Sequence, residues 1–511
     1  MGLLKAESYT KGIISSTIFN FGAKGLGFIN SLLIVYFFGS NFNTDLYFLI
    51  LATVVLITSF VNGIDLLILV PEAMRLRIKS GAKAENSFLN FFVFLYFFIG
   101  LCVSLVILMA PALFYTLFSK YSYHELEQQK LMLVLSSVLL PLQLLNSLFI
   151  SILTSHRYFT VPMVVSLINS IISIVILVLL RSRFSIASAI IALAAGYIAN
   201  FGWLLYSVKK NLHWNFFEKL RIPSKKVFAN IFLIQINVLP ISFRSYVTVL
   251  LLSGLGTGII TSLNYGQQIS LIPEMLIVTQ VIAVAGIKFN ELSSRDLEED
   301  LNSFFSDLLS MLLVITVPVA AIMALTSKEI VFEIFRFTKK VNAETTGNVA
   351  LIVFFLSLTL PARALDMVMT KLITAQQRIR EGVVYAVIIH LVIALLVFIG
   401  IKWFDLKGYL VAFFVAYNIF LPVLYYFLIR RVTPFIHYTK WLIKSLPFVF
   451  FNIVLLVAFF FGKKYLLPGI NPLAVFFIIS VCYGTAILIF NYITEYYIPL
   501  NTIIRKIVFR K

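Results

Sequence analysis

Apolar residues fill this sequence in long unbroken stretches, each closed off by a short polar cluster. About 18 or more consecutive apolar residues suffice for a helix to cross a bilayer. A membrane barrel would instead show short alternating segments. Fourteen stretches read as spans, at 12–38, 45–71, 87–112, 128–154, 160–180, 184–207, 227–253, 256–286, 300–326, 346–371, 382–401, 408–429, 441–461 and 471–493. The pattern predicts an all-α polytopic membrane protein, because helices satisfy their own backbone in lipid.

The polar interruptions divide the chain. The loop 209–226 is basic, carries Pro223 and separates two groups of six spans. We therefore expect an N-terminal six-helix lobe over 1–208, a linker over 209–226 and a second lobe over 227–430. Residues 431–511 hold two additional helices and a basic tail. The lobes echo each other: Thr154 and Arg157 follow the fourth span as Thr374 and Arg378 follow the tenth, the threonines 220 residues apart. Gly39 and Gly254 make a similar pair. Repeats of six spans keep one orientation, the arrangement of many transporters.

Composition agrees. The chain is 60% hydrophobic and 12% charged, against about 45–50% and about 25% in soluble domains. Lys and Arg number 41 and Asp and Glu 22. With the N-terminus in the cytoplasm, roughly 26 basic residues fall inside and roughly 11 outside, the usual bias. Lys5, Lys11, Lys209, Lys210, Arg430, Arg431 and Arg505 to Lys511 are among the inner set, and Lys339 and Lys463 among the exceptions. Both termini then face the cytoplasm. No basic stripe with interleaved aromatics suggests nucleic acid. Cys102 and Cys482 lie far apart in apolar runs, so neither a disulfide framework nor a zinc site is expected. The first span lacks a signal-peptidase site and reads as retained. No Walker loop, nucleophile elbow or metal-ligand motif appears, so we expect a transporter without cofactor or metal rather than an enzyme.

Candidate chemistry lies in the few charges within spans, where an ionisable group is costly and commonly functional. Lys24 sits among Gly22, Gly25 and Gly27, and could alternatively snorkel to the interface. Arg244 is deep in span seven, and its planar fork suits a phosphate; an ion pair with Asp65 is the structural alternative. Arg363 and Asp366 are spaced to pair on one helix face. Glu274 follows Pro273 and could bind a proton or Na+, or hydrogen-bond to backbone freed by a kink. Pro141, Pro361 and Pro422 mark further kinks. His390 has no second ligand at helical spacing and reads as a packing residue.

Several short motifs resemble one family. Lys24-Gly25-Leu26-Gly27-Phe28, Phe38-Gly39 and Thr44-Asp45 resemble the opening of the MurJ (MviN) lipid II flippases. So do Gly63 with Val70-Pro71, Arg157-Tyr158-Phe159 with Pro162, and Ser253-Gly254 leading through Tyr265 to Pro273. The wider superfamily exports drugs, oligosaccharidyl lipids and polysaccharides. The resemblance implies two lobes around a cationic cavity and the flipping of an undecaprenyl-pyrophosphate-linked sugar to the outer leaflet by alternating access. It places Lys24 on a family basic residue and Asp45 on a family acid. It also shows departures: the family's Arg-Asp pair of span one falls on Asn30 and Ser31, a basic residue of span two on Ile57, and the arginine before the span-eight proline on Gln268.

The expected substrate-binding set is Lys24, Asn30, Asp45, Arg244, Gln267, Gln268 and Arg363, with Asp65, Glu274 and Asp366 as possible ion-coupling acids. The expected partner is a polyprenyl-pyrophosphate-linked saccharide in the cytoplasmic membrane, handled by a monomer and driven by membrane potential, Na+ or H+. An O-antigen or capsule unit is the alternative saccharide. A cation-coupled multidrug antiporter is the alternative transporter, and a lipid-linked sugar ligase the alternative enzyme.

Overall fold

The computed structural model describes residues 9–493 apart from 217, 296 and 339. Lys5, Lys339, the side chain of Lys11 and the basic tail from Arg505 to Lys511 lie outside the described residues.

Helices account for every described span. Spans one to seven are Tyr9–Phe38, Phe42–Ile64, Ala82–Met109, Lys130–Ser136 with Leu139–Ser155, Thr160–Phe184, Ala187–Leu212 and Lys225–Leu252. Among the described residues, eleven helical stretches are long and apolar enough to cross a membrane, and a pair bent by 47°, Ala343–Ser357 with Leu360–Ala375, makes span ten. Among those stretches Arg380–Val432 runs 53 residues. The backbone leaves helical geometry there at Phe404 and Asp405, which divides it into spans eleven and twelve. With Lys225–Leu252 the arrangement is consistent with fourteen.

Polar residues punctuate this pattern as capping chemistry requires. Asn41 starts span two by accepting hydrogen bonds from the Asn43 and Thr44 N–H groups, while the Thr44 hydroxyl serves the Asn41 N–H in return. Prolines act differently by position. Pro141 and Pro361 sit in the first turn of the second segments of spans four and ten, where a missing N–H costs little. Pro71, Pro273 and Pro422 each border a single wide turn in which an N–H bonds five residues back: Val70 to Asp65, Thr279 to Glu274 and Leu421 to Ala416. Such turns relieve proline strain and recur at functional sites.

Packing divides the chain into two compact units, one up to Thr261 and one from Ser262. In the first, span one lies on span five, five on six, and four on three and six. Its core includes Phe88, Phe92, Leu148, Phe149 and Leu153. The basic loop is partly anchored here: buried Trp214 donates its indole N–H to Asn90 Oδ1 at 2.8 Å. Span seven also belongs to this unit. It packs on span two, through the Ser59 and Ser242 hydroxyls at 3.0 Å and Gln235 Nε2 donating to the Phe60 carbonyl at 2.6 Å. The packing boundary thus falls one span later than the basic loop.

In the second unit, Glu298–Leu325 (span nine) packs on span ten and on Tyr438–Leu466 and Pro472–Ile493 (spans thirteen and fourteen). Ala321, Leu325, Phe448, Ile479 and Tyr483 form that contact. Lys463 fastens it, donating to the Leu325 carbonyl at 2.5 Å and to Glu329 at 2.6 Å. Spans eleven and twelve meet at Gly400 and Gly408, where a side chain on either would run into the backbone of the other.

The sequence echo has a backbone counterpart. After span four the Tyr158 N–H bonds to the Leu153 carbonyl with Arg157 at positive φ; after span ten the Arg378 N–H bonds to the Ile373 carbonyl with Gln377 at positive φ. Ser185 (φ 47°, ψ −138°) and Asp405 (φ 52°, ψ −136°) form the same turn between spans five and six and between eleven and twelve. All these pairs lie 220 residues apart.

Candidate functional site

Lys24 is exposed on span one. Gly25 and Gly27 beside it have open space where a side chain would begin. The opposite face packs on span five, with Ser170 Oγ donating to the Ala23 carbonyl at 3.4 Å. No described helix exploits the close approach that these glycines permit. Asn30, further along, is half-buried with an Oδ1 that accepts no hydrogen bond. Arg244 is half-exposed on span seven, four residues before Thr248, whose hydroxyl bonds to its carbonyl at 2.9 Å.

Asp45 is wholly buried. Its carboxylate accepts from the Gly258 N–H at 2.5 Å, the Thr261 N–H at 2.8 Å and the Thr261 hydroxyl at 2.5 Å. It therefore caps the first turn of span eight (Ile259–Pro273) from outside the helix, satisfying N–H groups that a helix start leaves bare.

Asp65 begins the wide turn in span two and is also wholly buried. It accepts from the Tyr96 hydroxyl at 2.6 Å and the Ser147 hydroxyl at 3.1 Å. These neutral donors occupy the place that the sequence left open for Arg244.

In the second unit the expected pairing of Arg363 with Asp366 does not form. Arg363 reaches Glu274 instead, at 2.7 Å, and a carbonyl of its own helix region, Leu356, at 3.4 Å. Asp366 accepts from the Tyr425 hydroxyl. Two residues three apart on one helix can meet, but here a carboxylate and a phenol from other helical segments take up the two groups. Glu274 begins the wide turn of span eight, so the kink presents it to Arg363 rather than to freed backbone. Gln267 and Gln268 are half-buried, and Gln268 Nε2 donates to Asn264 Oδ1 one turn back at 2.5 Å.

The family model of the lipid II flippase MurJ matches residues 34–483. This chain belongs to the MurJ family. Among solved structures, the lipid II flippase MurJ in an inward closed conformation is 18% identical, with a TM-score of 0.76 over 94% of this chain and 100% of that one. An inward-facing multidrug resistance MATE transporter of the MOP superfamily is 13% identical, with a TM-score of 0.63 over 82% and 95% of the two chains. An outward-facing MATE transporter reaches 0.59 at 12% identity, over 85% and 98%. At such identities these likenesses establish the fold. No curated protein sequence matches the chain. The MurJ-family fold identifies a multi-pass membrane protein of the type that moves peptidoglycan precursors.

Sequence reasoning about charges missed the neutral polar groups of this MurJ-family chain. Gln143, Asn146, Asn169 and Asn200 line one cavity inside the first unit. Amides within apolar runs were the available signal, three residues apart on span four and single on spans five and six. Tyr96 and Tyr425, which donate to buried Asp65 and half-buried Asp366, carry no pattern that distinguishes them from packing aromatics.

Proposed function

We propose that this protein flips a polyprenyl-pyrophosphate-linked saccharide, lipid II in the first instance, from the cytoplasmic to the outer leaflet. The match to the MurJ family over residues 34–483 carries this reading. Pyrophosphate and sugars cannot cross hydrocarbon without partners. In this proposal Lys24 and Arg244 attract the pyrophosphate, while Asn30, Gln267 and Gln268 bond to phosphate or sugar. Asp45 serves the reading as a scaffold residue, since three donors already occupy it. Arg363 holds Glu274, and this ion pair opens if Glu274 binds a coupling proton or Na+; Asp65 and Asp366 are the other coupling candidates.

The two six-span lobes rock to open the substrate path to one side and then the other. Both termini face the cytoplasm, and the protein works as a monomer. An inside-negative potential favours outward movement of negative charge, by about 2.3 kcal/mol per net charge per 100 mV.

The departures at Asn30, Ser31, Ile57 and Gln268 favour a second reading within this class, another lipid-linked saccharide such as an O-antigen or capsule unit. Depletion in the native cell, with mass spectrometry of lipid-linked precursors, separates the two. Lipid II accumulates under the first reading and a different saccharide carrier under the second. Unchanged precursors with lost drug efflux would defeat both.

A further inference from the structure

A cavity of about 410 Å³ opens in the second unit where span twelve passes into span thirteen. Tyr426 and Arg430 line it from Leu421–Val432, and His437, Thr439 and Lys440 from the start of Tyr438–Leu466. Arg430, His437 and Lys440 are exposed. No carboxylate is among the lining residues, and the sequence holds no Asp or Glu between Asp405 and Glu495.

These cations lack the counter-charge found elsewhere. Other exposed basic residues hold a glutamate one turn away, as Arg75 holds Glu72, Lys130 holds Glu127 and Arg336 holds Glu333. Among the described residues no carboxylate pairs with Arg430 or Lys440. Arg430 Nη1 donates to the Tyr426 hydroxyl at 3.4 Å, so that hydroxyl keeps its proton for another acceptor. The His437 N–H goes to Asn302 Oδ1 at 2.8 Å, and no side chain caps the first turn of span thirteen. Span nine carries Glu298, Glu299 and Asp300 just before Asn302, but none of them lines the cavity. The side chains that meet here offer positive charge and donors.

We propose that this cavity seats the phosphodiester headgroup of an anionic membrane phospholipid. A phosphate is the one group that a guanidinium fork, an ammonium and a phenol all serve. Basic pockets between spans hold such headgroups on the cytoplasmic side, which this end faces in the orientation proposed above. A lipid is favoured over a free phosphate because each cation tops an apolar row. Phe427 and Val423 lie three and seven residues before Arg430, and Ile443 and Phe450 lie three and ten after Lys440. Those spacings keep each row on one helix face, and all four side chains are exposed. With its phosphate at the cations, the lipid lays its acyl chains along these rows. It thereby ties span thirteen to span twelve, where the Tyr438 hydroxyl already donates to the Pro422 carbonyl at 3.4 Å. The proposal does not rest on which saccharide is carried.

The test uses the full-length protein purified in detergent without lipid-linked saccharide. It is titrated with phosphatidylglycerol or phosphatidylcholine and followed by native mass spectrometry and thermal unfolding. Saturable binding of phosphatidylglycerol with a raised unfolding temperature is expected, and weaker binding of phosphatidylcholine. Arg430→Gln with Lys440→Gln should weaken phosphatidylglycerol binding about thirtyfold, from the usual worth of two basic residues beside an anionic headgroup. Lys209→Gln with Lys210→Gln, which removes the same charge after span six, should not. If the first double variant fails to fold, Lys440→Gln alone should still weaken binding about fivefold. Equal loss in the two double variants would reduce the effect to net charge and overturn the proposal. So would equal affinity for the two lipids. Displacement of phosphatidylglycerol by inorganic phosphate would give the seat to a free phosphate and overturn the lipid assignment. Because no lipid-linked saccharide is present, failure here leaves the flippase reading untouched.

Discussion

Asp45 provides the sharpest separation of scaffold from substrate chemistry. The resemblance to the MurJ family places it among substrate-binding groups, whereas its carboxylate is filled by Gly258 and Thr261. Hydrogen bonds to a charged acceptor are worth about 1.5–3 kcal/mol each, and a buried donor left bare costs about 1–3 kcal/mol. These terms overlap, so Asp45→Ala should cost about 3–5 kcal/mol, the range for breaking a buried charged contact. Asp45→Asn keeps one oxygen for Thr261 but turns an amide N–H toward that of Gly258, and should cost about 1–3 kcal/mol. The assay is thermal unfolding in detergent followed by fluorescence-detected size exclusion, with abundance in membranes measured alongside. We expect unfolding temperature and abundance to fall in the order wild type, Asp45→Asn, Asp45→Ala, with transport per folded molecule largely retained in Asp45→Asn. If Asp45→Ala unfolds at the wild-type temperature and is equally abundant yet transports nothing, the capping argument fails and the carboxylate acts on substrate.

Other expectations follow from the same geometry. Lys24→Ala and Arg244→Ala should stop flipping in reconstituted vesicles without lowering abundance, and Lys24→Arg should retain activity; normal transport by the double alanine variant would remove both from the site. Arg363→Ala should lower stability by about 1–3 kcal/mol, below the fully buried range because the pair is partly exposed. The charge exchange Glu274→Arg with Arg363→Glu should recover part of it, and equal unfolding temperatures for all of these variants would show that the pair contributes nothing. Gly408→Leu should reduce folded protein sharply because its side chain meets the backbone of Gly400, whereas Gly462→Leu, which faces open space, should not; equal expression of the two would contradict the close crossing.

Fold class was legible because burial in lipid demands long apolar helices, and the sequence supplies them in series. The breaks were only partly legible. Pro273 and Pro422 pointed to kinks, but whether a proline opens a wide turn, as beside Glu274, or starts a helix segment, as at Pro361, depends on register against neighbouring spans. The pairing of charges failed for a related reason. Spacing along one helix shows that Arg363 and Asp366 can meet, but says nothing of Glu274 or Tyr425, which arrive from elsewhere in the fold. The basic loop marked a division by charge. Packing instead follows Ser59, Ser242 and Gln235, small polar contacts with no period to reveal them.

The two units keep the same turns and diverge in what those turns hold. Leu153 and Ile373, Ser185 and Asp405, and Pro141 and Pro361 stand 220 residues apart and play the same backbone parts. At that same offset Gln143 corresponds to Arg363 and Asn146 to Asp366. Where the second unit places an arginine bound to Glu274 and an aspartate bound to Tyr425, the first places neutral amides around a cavity. An ion pair supplies its own counter-charge and has no need of a ligand. Neutral amides at the matching positions supply no such pair, so at these positions a charge-held contact exists in the second unit and not in the first. The comparison can be tested directly. Arg363→Gln should lower the unfolding temperature because it leaves Glu274 without its partner, whereas Gln143→Leu at the matching position should leave it nearly unchanged; the reverse result would refute the asymmetry.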